Sequence, residues 1–199
     1  MNHLEVNSKV TLKTLEINRT PDNLKAVKGR LYDVYEMTKD CITKESLILD
    51  MGTKDGLFFD VLVEKGFDKD YLNGIDCCEE VVEICNKKGY KTYKEDIQET
   101  LFGDKSFDFI YIVHTLEHVP TPEKVVNECD RLLKDGGYVF VEVPIQSFVD
   151  EAEKWGHYHA FTDKKQVKDL FSNYDILKED SQKTKSKSPW FRILFKKKG

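Results

Sequence analysis

The sequence predicts a doubly wound α/β fold, and three observations carry that expectation. Residues 47–56, LILDMGTKDG, read as a buried strand, Leu47 to Asp50, that ends on a carboxylate and turns through Gly52 and Gly56 into an apolar helix. Twenty positions beyond Gly56 a second apolar run, Tyr71 to Ile75, ends on another acid, Asp76. Between and beyond these, strand-like runs alternate with helix-like ones, which argues for a parallel sheet covered by helices rather than an all-β plan.

Taken in order, residues 1–20 alternate weakly through Val10, Leu12, Leu15 and Ile17, and are expected to form a peripheral extension, either a strand or loose chain. From Pro21 a helix starts, with Leu24, Val27, Leu31, Val34 and Tyr35 on one face, and residues 21–44 are read as a cap helix. Leu57, Phe58, Phe59, Val61 and Leu62 make the helix after the first strand, which Gly66 ends. Val81, Val82 and Cys85 stripe the next helix as far as Gly89, and residues 90–95 form a short third strand running to Asp96, itself a suitable N-cap for a helix over QETLF. Phe107–Val113 is too apolar to face water on either side, as befits a central parallel strand. Val125, Val126, Cys129, Leu132 and Leu133 mark a crossing helix, which Gly136-Gly137 turns into a fifth strand, Tyr138 to Val143. Val167, Leu170, Phe171 and Tyr174 pack a last helix, and Tyr174–Lys183 with Trp190–Phe195 read as a terminal hairpin around the turn KSKSP. Trp190, Phe191, Ile193 and Phe195 fit a core strand better than a membrane-binding patch. The whole chain, 1–199, is read as one domain, with residues 45–199 as its core.

A strand that turns through glycines into a helix offers free backbone N–H groups and close backbone approach to a ligand. An acid at the end of the next parallel strand sits where it meets a ribose diol. The loop Gly52-Thr53-Lys54-Asp55-Gly56 lacks G-x-G-x-x-G, so no cradle for a pyrophosphate is present. A nucleoside ligand without phosphates fits better.

Three further segments carry a specific resemblance: GIDCCEEVVEICNKKG, FDFIYIVHTLEHVPTPEKVVNECDRLLKDGGYVFVEVP and GHYHAFTDKKQVKDLF. With the first loop they resemble the class I S-adenosylmethionine (SAM) dependent methyltransferases, over roughly residues 45–195, in the small-molecule-type branch. The resemblance implies a Rossmann-like, seven-stranded sheet, mostly parallel with an antiparallel last strand, and SAM as cofactor. It implies cofactor contacts from Asp50, Gly52, Gly56, Asp76, Asp96, Ile97 and Val113, with Cys77 lining the adenine pocket because it follows Asp76. It also implies that a helix ahead of the first strand covers the cofactor. One departure stands out: Lys54 occupies the position of the usual middle glycine, so the methionine end of the cofactor is reached past a side chain.

Composition narrows the partners. Hydrophobic residues at 40% and charged residues at 34% describe an ordinary globular protein. No apolar stretch approaches the ~18 residues of a membrane span, and MNHLEVNSKV lacks the order of a signal peptide, so a cytoplasmic location is expected. Five cysteines without a C-x-x-C pair predict reduced thiols. The formal charge is −5, and setting aside the seven basic side chains of residues 183–199 leaves −12 for the rest. Such a body repels a polyanion, and the family's N/D-P-P-aromatic motif for nucleic-acid bases is absent, since His114-Thr115-Leu116-Glu117 stands there. A small-molecule acceptor is expected, with O-methylation ahead of N-methylation; the sequence leaves oligomeric state open.

No covalent nucleophile is visible: there is no G-x-S-x-G and no cysteine with a partner histidine. The sulfonium is already activated, and positioning an acceptor in line with its methyl is worth ~7–11 kcal/mol. Candidate bases are His114 and His118, which flank the end of the fourth strand, and His157, which lies with His159 on the connection from Ile145 to Phe161 expected to wall the acceptor pocket. His118 also suits a structural role before Pro120, and His157 the orientation of a lid. His114, Glu117 and His118 form H-x-x-E-H, which is similar to the E-x-x-E-H of certain metal-assisted RNA 2′-O-methyltransferases and quinone-pathway O-methyltransferases; His157 or His159 would complete such a site. The reading adopted is a metal-independent enzyme in which His118 or His157 assists. The alternatives are a metal-assisted 2′-O-methyltransferase of an RNA end or of a diol or quinone precursor, and a degenerate SAM-binding scaffold subunit.

Overall fold

The computed structural model describes residues 2–145, 156–182 and 189–199. Seven strands form one sheet in the order β3-β2-β1-β4-β5-β7-β6. They are β1 (Ile48–Met51), β2 (Leu72–Asp76), β3 (Lys91–Lys94), β4 (Phe107–Val113), β5 (Leu133–Pro144), β6 (Tyr174–Gln182) and β7 (Trp190–Lys197). β1 to β5 are mutually parallel, and β7 inserts antiparallel between β5 and β6. The expected mixed, doubly wound sheet is therefore present.

Strand periodicity explains why both faces are dry, because successive side chains leave the sheet on opposite sides. Leu49, Met51, Ile110, Ile112, Val139, Val141, Ile193 and Phe195 pack on one side, against Val125, Cys129 and Leu132 of α5 (Pro122–Leu132) and Val167 of α6 (Lys164–Leu170). Ile48, Phe109, Tyr111, Phe140 and Leu194 pack on the other, against Leu31 and Val34 of α2 (Pro21–Thr38) and Phe58, Phe59, Val61 and Leu62 of α3 (Leu57–Glu64). The aromatic residues of β7 are core residues, from Trp190 at 5% exposure to Phe195 at 0%. α4 (Glu79–Lys87) buries Val81, Val82 and Cys85.

Four expectations need correction. Residues 3–18 are neither strand nor loose chain but a helix, α1 (His3–Asn18), begun by a capping box between Asn2 and Glu5. Asp96 caps no helix: its side chain accepts from Gln98 N at 3.0 Å in a tight turn, and Asp96 bridges to Glu99. Leu133 belongs to β5 and pairs with Phe107; the register then skips, with Tyr138 opposite Phe109, so Lys134 to Gly137 bulge out of a continuous strand instead of separating helix from strand. The first strand runs one residue later than Leu47–Asp50, from Ile48 to Met51. The turn KSKSP lies almost wholly outside the described residues.

Candidate active site

The site forms where β1, β2 and β4 end. Gly52 and Thr53 both donate their N–H to Ile75 O, at 2.8 and 3.0 Å, carrying the β1–β2 pairing into the loop. Gly52 has φ +90°, and a Cβ there would lie 2.2 Å from Thr115 Oγ1, so the strand end and the residue after His114 touch only because the side chain is missing. Gly56, at φ +72°, is the N-cap of α3; a Cβ on it would meet Cys85 Sγ and Tyr90 Cδ2, both at 3.2 Å. It thus seats α3 on its neighbours rather than lining the cavity.

That cavity, about 620 Å³, is lined by Asp50, Gly52, Asp76, Cys77, Asp96, Ile97, Val113, His114, His118 and His157. All the expected site residues except Gly56 are among its walls. Asp76 is 5% exposed and accepts two backbone N–H groups, from Cys78 and Lys54, each at 3.0 Å. Burial raises its pKa against the pull of those donors. Each carboxylate oxygen keeps a lone pair for a ligand hydroxyl. Asp50 is buried, and burial together with the Asp76 charge pushes its pKa up to about 7. An acid-floored space beside a glycine that admits no Cβ fits a nucleoside bearing a cationic arm.

α1 roofs the cavity. His3 Nε2 lies 2.9 Å from Asp96 Oδ2, Ser8 Oγ donates to Cys77 O at 3.1 Å, and Asn7 Nδ2 donates to His118 O at 2.8 Å. Val10 packs so close to Gly156 that a Cβ there would be 2.8 Å from it. The cap expected of α2 is thus shared, and α1 lies directly over both ends of the cavity.

The histidines divide by their surroundings. His114, at the end of β4 with φ +52°, has Nε2 2.9 Å from both Arg30 Nη1 and Glu142 Oε1, and Nδ1 3.6 Å from Glu117 Oε1. Burial and Arg30 push its pKa down, but Glu117 and Glu142 push harder, and it stands above the ordinary histidine value. His114 is therefore a good partner for the buried carboxylates. Glu142 also pairs with Arg192, whose guanidinium stacks 3.6 Å from the Trp190 ring centre. Burial works against that carboxylate, yet the hydrogen bond from His114 and the charges of His114, Arg30 and Arg192 hold its pKa at about 2.

His118 and His157 stack edge to face, 4.5 Å between ring centres, and with Glu117 they bring three ligand atoms within 4.8 Å of one another. Glu117 is 1% exposed, and neither carboxylate oxygen has a hydrogen-bond partner among the described residues. Burial raises its pKa, but the surrounding histidines outweigh that and keep it low. Burial holds His157 well below the usual histidine range, at about 4. A buried ionised carboxylate beside two imidazoles fits a hydroxyl hydrogen or a divalent cation equally. His159 stands apart, its Nε2 3.3 Å from Pro120 O. Much of the connection from Ile145 to Phe161 lies outside the described residues.

Sequence reasoning missed His3, Asn7, Arg30 and Glu142. The Asn2-x-x-Glu5 capping box signalled α1, and a single acid inside the apolar run Tyr138–Val143 signalled Glu142.

Comparison with known proteins agrees with this geometry. A family model described as a methyltransferase domain matches residues 21–178. The chain is 34% identical over 101 residues to the ubiquinone biosynthesis O-methyltransferase of Paracidovorax citrulli (strain AAC00-1), covering 47% of this chain and 41% of that protein. It is 28% identical over 126 residues to the protein of the same name from Vibrio atlanticus (strain LGP32), covering 60% and 51%. The match thus spans about two fifths to one half of the length of these relatives. Among solved structures, a SAM-dependent methyltransferase from Methanosarcina mazei superposes with a TM-score of 0.70 at 19% identity, over 82% of this chain and 98% of that one. The N-methyltransferase NodS of Bradyrhizobium japonicum WM9, in complex with S-adenosyl-L-homocysteine, does so with 0.68 at 14% identity, over 92% and 90%. With strand-end acids, a glycine turn and a seven-stranded sheet of this order, and a family model spanning most of its length, the chain belongs to the class I SAM-dependent methyltransferases.

Proposed function

We propose that the chain transfers a methyl group from SAM to a hydroxyl oxygen of a small-molecule acceptor. The observation that carries this reading is the shared cavity: the acids Asp50 and Asp76 at one end, the Glu117–His118–His157 group at the other. The ubiquinone biosynthesis O-methyltransferases among its relatives support an oxygen acceptor. SAM, when bound, supplies an activated methyl group on a sulfonium.

This chain's residues do the rest. Asp76 holds the ribose hydroxyls through lone pairs its backbone donors leave open. Asp96 and Ile97 hold the adenine, and α1 keeps water from the reacting atoms. His157, neutral at physiological pH because burial keeps its pKa near about 4, accepts the hydroxyl proton, with Glu117 stabilising the imidazolium that results. His114, whose pKa Glu117 and Glu142 hold above the ordinary histidine value, positions those carboxylates.

A second reading is favoured by Glu117: its two buried oxygens, without hydrogen-bond partners among the described residues and next to two imidazoles, would hold a divalent cation that orients an acceptor diol and lowers its pKa. His157 in its neutral form is also the form that ligates. Turnover of hydroxylated aromatic acceptors, assayed with and without EDTA, separates the two. Activity indifferent to chelation supports His157 as base; activity abolished by EDTA and restored by Mg²⁺ or Zn²⁺ supports the metal. SAM binding without turnover on any acceptor would instead mark a non-catalytic scaffold, and turnover confined to RNA ends would overturn the small-molecule choice.

A further inference from the structure

A polar stripe runs along the cavity side of α1. His3, Asn7, Thr11, Thr14 and Asn18 recur every three or four positions, the period that sets side chains on one face of a helix, and all five line the cavity. His3 is engaged by Asp96 and Gln98, and the others are neutral amides and hydroxyls. α1 lies ahead of residues 21–178, the stretch that matches the family model, so this stripe belongs to this chain rather than to the part it shares with the family.

Asn7 is the member of the stripe with a group left over. Its Nδ2 donates to His118 O at 2.8 Å, which fixes the amide, since turning it over would set oxygen against oxygen. Its Oδ1 is buried and has no hydrogen-bond partner among the described residues, whereas the Thr14 hydroxyl already donates to Thr11 O at 3.1 Å. A buried carbonyl oxygen without a donor is unfavourable, and native folds meet such groups with protein, water or ligand. The carbonyl that Asn7 holds is that of His118, whose ring lies against His157 and whose Nδ1 is 3.3 Å from Gly156 O, where Val10 closes the roof. Asn7 thus stands at the Glu117–His118–His157 end of the cavity, its spare acceptor beside the place proposed for the reacting hydroxyl.

We propose that Asn7 is a specificity-determining residue for the acceptor, its Oδ1 accepting a hydrogen bond from a second hydroxyl next to the one that receives the methyl group. This rests on the proposed O-methyl transfer and narrows its acceptors to those with two neighbouring hydroxyls. An acceptor with one hydroxyl leaves the amide oxygen buried and unpaired, and is disfavoured for that reason. The contact is made from the roof, so it selects the same acceptors whether His157 or a divalent cation handles the reacting oxygen.

The test is kcat/KM of wild type, Asn7→Leu and Asn7→Asp at saturating SAM on acceptor pairs that differ by one hydroxyl: catechol with phenol, and 3,4-dihydroxybenzaldehyde with 4-hydroxybenzaldehyde. Where a monohydroxy member is not turned over, its constant as a competitive inhibitor replaces kcat/KM, with the inhibition constant of its partner beside it. Wild type is expected to favour the dihydroxy member of each pair by about tenfold or more. Both variants lose the donor to His118 O, but leucine also loses the acceptor while filling a similar volume, and aspartate keeps it. Asn7→Leu should therefore lose most of the preference by weakening only the dihydroxy acceptors, and Asn7→Asp should retain it. Melting temperatures report whether each variant has folded. Four results would overturn the proposal while leaving methyl transfer intact: no preference in wild type, loss of it in both variants, an unchanged preference in Asn7→Leu, or an equal loss on both members of a pair with weakened SAM binding. Wild type that neither methylates nor binds any of the four would overturn the proposed function on such acceptors and this assignment with it.

Discussion

His3 and Asp96, separated by 93 residues, meet at 2.9 Å and pin the first helix over the end of the cavity where an adenine is expected. Gln98 Nε2 joins them, 3.1 Å from His3 Nε2. With Asn7 on His118 O at the other end, α1 spans the site as a roof fixed at two points rather than as a peripheral extension.

His3→Ala and Asn7→Ala together should loosen that roof. Stopped-flow release of S-adenosyl-L-homocysteine is expected to accelerate by about tenfold, the worth of two or so part-buried hydrogen bonds, with a smaller change in the association rate. An unchanged release rate would mean that α1 does not cover the ligand.

Asp50 should make ligand-free stability depend on pH. Burial, with Asp76 beside it, lifts its folded pKa to about 7, so the folded chain binds a proton there that the unfolded chain does not. The sign follows: the group weakens the fold above pH ~7, and that penalty fades as pH falls toward the ordinary carboxylate range. Asp50→Asn is expected to stabilise the ligand-free protein by on the order of 1–3 kcal/mol at pH 8, with little effect near pH 4, by urea titration at both pH values. The same variant should bind SAM more weakly, since a cationic arm is best met by an ionised acid.

The Glu142–Arg192 pair carries the opposite sign. Glu142 is fully buried with a pKa held at about 2, so the stability it contributes is present above the ordinary carboxylate pKa and lost as pH falls toward about 2. Glu142→Gln leaves Arg192, at 3% exposure, without its counter-charge and is expected to cost about 3–5 kcal/mol in equilibrium denaturation at pH 7.

Gly52→Ala should harm both fold and site, because its Cβ would lie 2.2 Å from Thr115 Oγ1 and its φ is +90°. A loss of about 2–4 kcal/mol is expected, of which Gly52→Ala with Thr115→Ala recovers only the steric share, since the backbone strain remains. Thermal denaturation of the single and double variants resolves the two contributions.

Much of this was legible in the residues, for physical reasons that differ by place. Asp50 and Asp76 could be read as strand ends because an apolar run of four or five residues that stops at an acid and a glycine has few other uses. α1 escaped notice because the face it turns to the cavity carries Asn7, Thr11 and Thr14, so polar residues sit where a buried stripe was sought, and Leu15 is its one fully buried side chain. Glu142 and Arg192 are each a single charge within an apolar run, Tyr138–Val143 and Trp190–Phe195; they become partners only in the antiparallel β5–β7 register, which sets them opposite each other. Gly56 looked like a ligand contact, yet the helix geometry that needs it also turns it toward Cys85 and Tyr90. The joining of His118 to His157 depends on the chain's return to Glu117 O, which accepts from Tyr158 N at 2.8 Å, a contact with no local signature.

The central claim is that the acid-floored cavity is a SAM site, and calorimetric titration of S-adenosyl-L-homocysteine into wild type and Asp76→Ala tests it most directly. The account expects one site per chain in the wild type, and a loss of about 2–3 kcal/mol of binding free energy in Asp76→Ala, as two ribose hydroxyls lose a charged acceptor. Absence of binding in the wild type, or equal affinity in the variant, would contradict it.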